Sequence, residues 1–357
     1  MDLGGSSVED VGLSRRFWQD KRVLVTGHTG FKGAWLCLWL ENLGARITGI
    51  ALPSEHDGAF SAFKPWTQLD SNHVDVRNLE AIIPLISDAD PQIVFHLAAQ
   101  ALVRRGFEDP RGTFETNVLG TLNLLDACVH RPAVEAIVVT TTDKVYRFPG
   151  SGPFREDDPL GGTDPYGASK ACAEIVVTGV SGASSTPVAT ARAGNVLGGG
   201  DMADDRLLPD LFRALARKEP LRLRNPAATR PWQFVLDPLL GYLQLAELLA
   251  TAPQDAPRAF NFGPAPGTTN KVSEVVEFAL QTWGHGSWVR EEGKTYPEAT
   301  VLELDPERAR SVLGWQTRLD MKQAVEWTVA WERERLRGGN MRLFSLQQID
   351  DFERIAQ

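Results

Sequence analysis

Cysteine is scarce in this chain of 357 residues: there are three, Cys37, Cys128 and Cys172, widely separated and each inside a helical pattern. So few thiols, so placed, argue against a disulfide framework or a thiolate metal centre and point to buried thiols in a reducing cytoplasm. Histidine is sparse too, six scattered residues with no pair at metal-ligand spacing, so no metal site is expected. Long apolar runs are missing. No stretch approaches bilayer-spanning length, and the first residues are polar and acidic, unlike a secretory signal, so no membrane partner is expected. Positive charge is in deficit: 37 Lys and Arg against 46 Asp and Glu leave a formal charge of -9, which argues against nonspecific nucleic-acid binding. The remaining composition, 43% hydrophobic and 23% charged, is that of an ordinary globular protein long enough for a large core and a second lobe.

The most informative stretch is residues 21–33. An apolar strand, Val23-Leu24-Val25, runs into Gly27, Gly30 and Gly33, and a helix follows with Phe31, Trp35, Leu36, Trp39, Leu40 and Leu43 at helical spacing. Glycines there let the backbone turn tightly and approach a pyrophosphate at a helix N-terminus. Strands and helices then alternate. Arg46–Leu52 and His73–Val76 read as strands, Leu79–Ser87 as a helix, Gln92–Ala98 as a buried strand and Thr113–Cys128 as a long helix. Val134–Thr140 reads as strand, Pro165–Val180 as helix and Val188–Arg192 as strand. The pattern predicts an α/β fold: a doubly wound parallel sheet of Rossmann type with a smaller C-terminal α/β substrate lobe. Expected boundaries are a disordered start at 1–15, a dinucleotide-binding domain at 16–194 with returns at about 234–250 and 259–264, a substrate lobe at 195–233 and 265–340, and a helical tail at 341–357.

The chemical centre is a pair of segments. Thr140-Thr141-Thr142-Asp143-Lys144 delivers polar groups to the carboxyl end of a strand, and Tyr166-Gly167-Ala168-Ser169-Lys170 places a phenol and an ammonium on one helix face at i and i+4. A cation beside a phenol is expected to lower its pKa and make it a general base for a hydroxyl proton.

At these residues the chain resembles the extended short-chain dehydrogenase/reductases, and within them the nucleotide-sugar 4,6-dehydratases. The resemblance runs from Phe17-Trp18 to about Trp331 and is carried by residues 27–35, 96–104, 113–121, 142–146 and 164–174. More specific are Arg-Ala-Gly-Asn-Val-Leu-Gly-Gly-Gly-Asp (192–201), Asp-Arg-Leu-Leu-Pro-Asp (205–210) and residues 230–243, which begin Arg-Pro-Trp-Gln. With the Thr-Asp-Lys triplet, these narrow the match to the branch that acts on CDP-glucose. Two residues depart from that branch: Phe234 replaces a histidine and Met202 a tryptophan, each either a specificity change or a packing swap.

The resemblance implies NAD as cofactor, oxidation at C4 of the sugar, loss of water across C5 and C6, and return of hydride to C6. It implies catalytic roles for Thr142, Asp143, Lys144, Tyr166 and Lys170, with Asp143 as the acid at C6 and Lys144 as the base at C5. Lys144 poses a difficulty: a lysine base must be neutral, while a cationic lysine would lower the pKa of Asp143. Three readings stay open: Lys144 is neutral when the ketone forms, it acts through a water, or it only positions substrate. Implied cofactor contacts are Gly27, Thr29, Gly30, Phe31, Gly33, Asp75, Val76, Leu97, Ala98, Ala99, Gln100 and Thr116, together with Tyr166 and Lys170. The acid usual at the end of the second strand is missing there, where Ala51-Leu52-Pro53-Ser54 stands. Implied substrate contacts are Arg104, Asn195, Arg206, Arg224, Arg230, Gln233 and Glu298. A 4-epimerase or another nucleotide-sugar dehydratase on the same scaffold is the alternative, and a noncatalytic dinucleotide-binding protein the remote one. Family members pair through helices corresponding to 113–128 and 165–180, so a homodimer or homotetramer is expected.

Overall fold

Short β-branched runs buried on both faces are what a parallel sheet between two helical layers requires. In the computed structural model, which describes residues 13–149, 152–254, 256–291 and 302–355, such runs become β1 (Arg22–Thr26), β2 (Arg46–Ala51), β4 (Ile93–His96), β5 (Ala136–Thr142) and β6 (Val188–Ala193), with a polar strand, β3 (Leu69–His73), at the sheet edge. With β11 (Ala259–Phe262) they form one sheet in the order β11-β6-β5-β4-β1-β2-β3, every pairing parallel. Alternation along each strand divides the core. Val23, Val25, Ile93 and Phe95 pack with the helices Phe31–Asn42 and Leu236–Thr251 on one face, whereas Leu24, Val94, Ile137 and Val139 meet the helices Leu79–Ala89, Gly120–Cys128 and Pro165–Gly182 on the other. The strand order reverses between β1 and β4, so a crevice opens beyond their carboxyl ends.

Three expectations need correction. The third strand is Leu69–His73, not His73–Val76; it is a half-exposed, polar edge strand, Leu-Asp-Ser-Asn-His, with no apolar pattern to reveal it. The helix expected over Thr113–Cys128 begins at Pro110 and contains a π-turn at Glu115–Leu119. Residues 13–15, expected within the disordered start at 1–15, belong to the fold: Leu13 packs on the core and the Ser14 side chain caps the helix Arg15–Trp18. Residues 1–12 lie outside the described residues.

Beyond β6 the chain builds a second lobe on three two-stranded pairs. β7 (Val196–Leu197) joins β10 (Gln233–Phe234), β8 (Leu221–Leu223) joins β13 (Trp288–Arg290), and β9 (Thr229–Arg230) joins β12 (Asn270–Lys271). Helices Leu207–Arg217, Val272–Trp283 and Met321–Leu336 pack around them. The last helix, Met341–Arg354, docks on the chain's own first lobe: Arg342 donates to the Phe63 carbonyl and pairs with Glu41, and Trp39 Nε1 donates to Glu353. Among the described residues no helix is long and apolar enough to cross a membrane.

Candidate active site

Between the lobes lies a cleft of about 790 Å³ at the carboxyl ends of the sheet strands. Its floor is the turn after β1. Gly27 takes φ +75°, and a Cβ there would stand 2.7 Å from the Ala98 amide nitrogen; a Cβ at Gly33 would stand 2.1 Å from the Gly27 carbonyl oxygen. Neither approach is possible for a larger residue. Gly30 caps the helix Phe31–Asn42, whose first-turn amides face the cleft and suit an anion. This cradle fits a dinucleotide pyrophosphate. Thr29, Phe31, Val76, Leu97, Ala99, Gln100 and Thr116 line the same cleft. Asp75 also lines it, its carboxylate held below the usual range by a bidentate bond from Arg77 (2.9 and 2.6 Å). Thr29 Oγ1 donates to the Leu52 carbonyl at 2.8 Å, tying the glycine turn to the end of β2.

The helix carrying Tyr166 starts where its sequence requires. Asp164 is the N-cap, accepting from Gly167 N at 2.9 Å, and Pro165 occupies the first turn. Ser169 Oγ donates to the Tyr166 carbonyl (2.7 Å), and Asn117 Nδ2 donates to Ser169 Oγ (2.9 Å). Asn117 also accepts from Gln100 N (2.8 Å), so the π-turn joins the Tyr166 helix to the cleft wall. Lys170 is 3% exposed; its Nζ donates to the Thr140 carbonyl at 2.7 Å, and burial lowers its pKa to about 8. Tyr166 does not behave as the i, i+4 spacing suggests. Burial raises its pKa, opposed by the Thr142 hydroxyl and Arg206 rather than by Lys170.

At the end of β5, Asp143 and Lys144 enter a 3₁₀ turn capped by the Thr142 side chain. Asp143 is 3% exposed, and its Oδ1 accepts from Thr142 Oγ1 at 2.9 Å. Its Oδ2 has no hydrogen-bond partner among the described residues. Burial raises the Asp143 pKa, with Lys144, Thr142, Arg230 and Lys32 pulling the other way. Burial dominates, so the carboxyl is favoured as a proton carrier despite the lysine beside it. Lys144 lines the cleft next to it.

Arg104, Asn195, Arg206, Arg224 and Arg230 all reach the cleft. Asp205 lies between two of these arginines, 3.0 Å from Arg224 and 3.8 Å from Arg104. Gln233 does not join them: it is fully buried, and its Nε2 donates to the Phe262 carbonyl behind the sheet end. Glu298 lies outside the described residues. Of the two departures, Phe234 is core, edge-on to Trp35 and Trp327, whereas Met202 lines the cleft. Sequence reasoning missed Lys32. It lines the cleft beside Asp143 and Lys170, its Nζ 3.4 Å from Tyr242 Oη, with its pKa lowered by burial to about 8. A cation inside the glycine turn was the available signal. The Gly198–Gly200 loop, singled out in the sequence as part of 192–201, gains its packing reason here: Trp35 Nε1 donates to the Gly199 carbonyl, and a Cβ at Gly199 would collide with the Trp331 ring.

Comparison with known proteins agrees with this geometry. The model of the NAD dependent epimerase/dehydratase family matches residues 23–263. A CDP-glucose 4,6-dehydratase of Salmonella typhimurium is 38% identical over 353 residues, covering 95% of this chain and 98% of the relative. A UDP-glucose 4-epimerase of Rhizobium meliloti is 25% identical over 340 residues, covering 90% of this chain and 100% of the relative. Among solved structures, a dTDP-glucose 4,6-dehydratase of Streptomyces venezuelae with NAD bound has a TM-score of 0.79 at 23% identity, covering 89% of this chain and 98% of that one.

Proposed function

The chain belongs to the NAD-dependent epimerase/dehydratase family, and from that membership we propose that it converts CDP-glucose to CDP-4-keto-6-deoxyglucose and water. NAD is the cofactor; bound in this cradle it would supply a hydride acceptor for the sugar C4 and a hydride donor for C6, and its positive ring would oppose the effect of burial on the Tyr166 phenol. The glycine cradle at Gly27, Gly30 and Gly33 and the contacts named with it would hold the group.

The observation that carries the reading is Asp143: a buried carboxyl at a strand end in the cleft, one oxygen unpartnered, with burial favouring its protonated form. A C6 hydroxyl leaves as water only if it gains a proton, and Asp143 supplies it. A 4-epimerase eliminates no C6 hydroxyl and does not require this acid. Tyr166 removes the C4 hydroxyl proton, with Thr142 beside it and Lys170 anchored at the Thr140 carbonyl. Lys144 takes the C5 proton, made acidic by the neighbouring ketone. Arg206, Arg230, Arg224, Arg104 and Asn195 hold the diphosphate, for which guanidinium forks are suited.

Lys144→Ala is expected to spare C4 oxidation while slowing exchange of the C5 proton with solvent by about 10²-fold or more. Proton exchange followed by mass in heavy water checks this; an unchanged rate would remove Lys144 from the role of base.

The active form is a homodimer, or a tetramer built from it. Phe114, Leu119, Leu122 and Ile175 stand 37–62% exposed on the helices 110–128 and 165–182, an apolar face on two neighbouring helices. Leu119→Asp should shift sedimentation from dimer to monomer, and a monomeric parent chain would contradict the pairing. The setting is the cytoplasm, with no nucleic-acid or membrane partner.

The experiment for the function is incubation with NAD⁺ and, separately, CDP-, UDP- and dTDP-glucose, with product mass as readout. Water loss with CDP-glucose is the expected result. Water loss only with another nucleotide sugar would overturn the substrate, and none with any would overturn the reaction.

A further inference from the structure

The cleft extends beyond the groups that do chemistry. Arg206 and Arg230 are electrostatic neighbours of Tyr166 and Asp143; Arg224, paired with Asp205, lies further along, immediately after β8. A nucleotide sugar with its sugar at Tyr166 and its diphosphate on these arginines extends its base toward the paired strands β8 and β13. That end offers apolar walls for a flat ring, from Leu221, Leu223, Ala228 and Val272. One acid lines it. The backbone amide of Glu291 donates to the Leu223 carbonyl at 2.8 Å, which fixes Glu291 at the end of the strand pair. Its carboxylate makes no ion pair or side-chain hydrogen bond with the described residues, since Arg224 is turned to Asp205.

Glu291 is exposed at this end, so its carboxylate is open to a ligand, and a base that donates to it fits there better than one that presents a second acceptor. Ionised, it can only accept hydrogen bonds. At ring position 4, cytosine carries an amino group and donates, whereas uracil and thymine carry a carbonyl oxygen and would be repelled. We propose that Glu291 selects the base of the nucleotide sugar, accepting from the cytosine amino group and disfavouring uracil and thymine; the inference rests on the nucleotide-sugar reading above.

The test is titration calorimetry of CDP, UDP and dTDP with the full chain and with Glu291→Gln and Glu291→Ala. The parent chain should bind CDP about tenfold or more tighter than UDP or dTDP. Glutamine keeps an acceptor but adds a donor, so Glu291→Gln should bring the preference to within about threefold, chiefly by gain for UDP. Glu291→Ala should lose the preference through weaker CDP binding. The same shift in kcat/KM for CDP-glucose against UDP-glucose would support the role in turnover. A parent preference that both variants retain would overturn the role of Glu291 alone. A parent chain that binds none of the three nucleotides would overturn the nucleotide-sugar reading and this inference with it.

Discussion

Replacing Asp143 by Asn is expected to lower dehydration of CDP-glucose by about 10²- to 10⁴-fold, the span over which a positioned proton donor acts. Asparagine preserves the shape of the side chain and the bond from Thr142 Oγ1, and it has no proton to release at C6. Asparagine matches aspartate in size and carries no charge to bury, so the fold is expected to stay intact and unfolding midpoints close to those of the parent. Exchange of the C5 proton should persist in Asp143→Asn, because Lys144 and Tyr166 are untouched. This makes the variant the mirror of Lys144→Ala, which loses exchange first. The pH dependence has a definite sign. A donor must be protonated, and burial raises the Asp143 pKa, so activity should fall as pH rises through a value above that of an exposed aspartate. Asp143→Asn within tenfold of the parent would remove this residue from the chemistry.

Arg192→Met should be the most destabilising single change near the site, by about 3–5 kcal/mol out of a total stability on the order of 5–15 kcal/mol. Arg192 and Glu174 are 4% exposed and joined twice, Nε to Oε1 at 2.9 Å and Nη2 to Oε2 at 2.8 Å. The other guanidinium nitrogen donates to Tyr146 Oη and the Glu156 carbonyl, while Glu174 accepts from Thr141 and Thr190. Losing the guanidinium leaves a buried carboxylate with hydroxyl partners only, and the cost is that of an uncompensated charge. Thr141 precedes Thr142, so the pair also braces the strand end that presents the acid. Pairing Arg192→Met with Glu174→Leu should recover most of the loss, because an apolar pair of similar volume needs no desolvation of charge. Urea unfolding of the three proteins checks both statements; a single variant within 1 kcal/mol of the parent would contradict the first.

What could be read from the sequence divides along physical lines. The β1 turn was legible because Gly27 and Gly33 stand where no Cβ fits, and β4 and β5 because strands buried on both faces are continuous apolar runs. The Asp164 cap and Pro165 made the start of the Tyr166 helix equally readable. The edge strand Leu69–His73 was not, since half its side chains face solvent and carry no pattern. Nor was the π-turn at Glu115–Leu119, which shifts one backbone bond and leaves the helical periodicity almost unchanged. Spacing sets Tyr166 and Lys170 one helical turn apart, whereas the burial that raises the Tyr166 pKa is a property of the whole fold and is not written in that spacing. Gln233 sits in the right motif and points into the core, a distinction that one residue of register on β10 decides.

The most direct measurement is the mass of the product formed from CDP-glucose and NAD⁺ in heavy water. A sugar nucleotide lighter by one water and carrying one solvent deuteron, bound at C5, is the expected product: elimination requires proton loss at C5, and the vacated carbon takes its new proton from solvent. A product of unchanged mass with the C4 configuration inverted, or no product at all, would contradict the dehydratase reading.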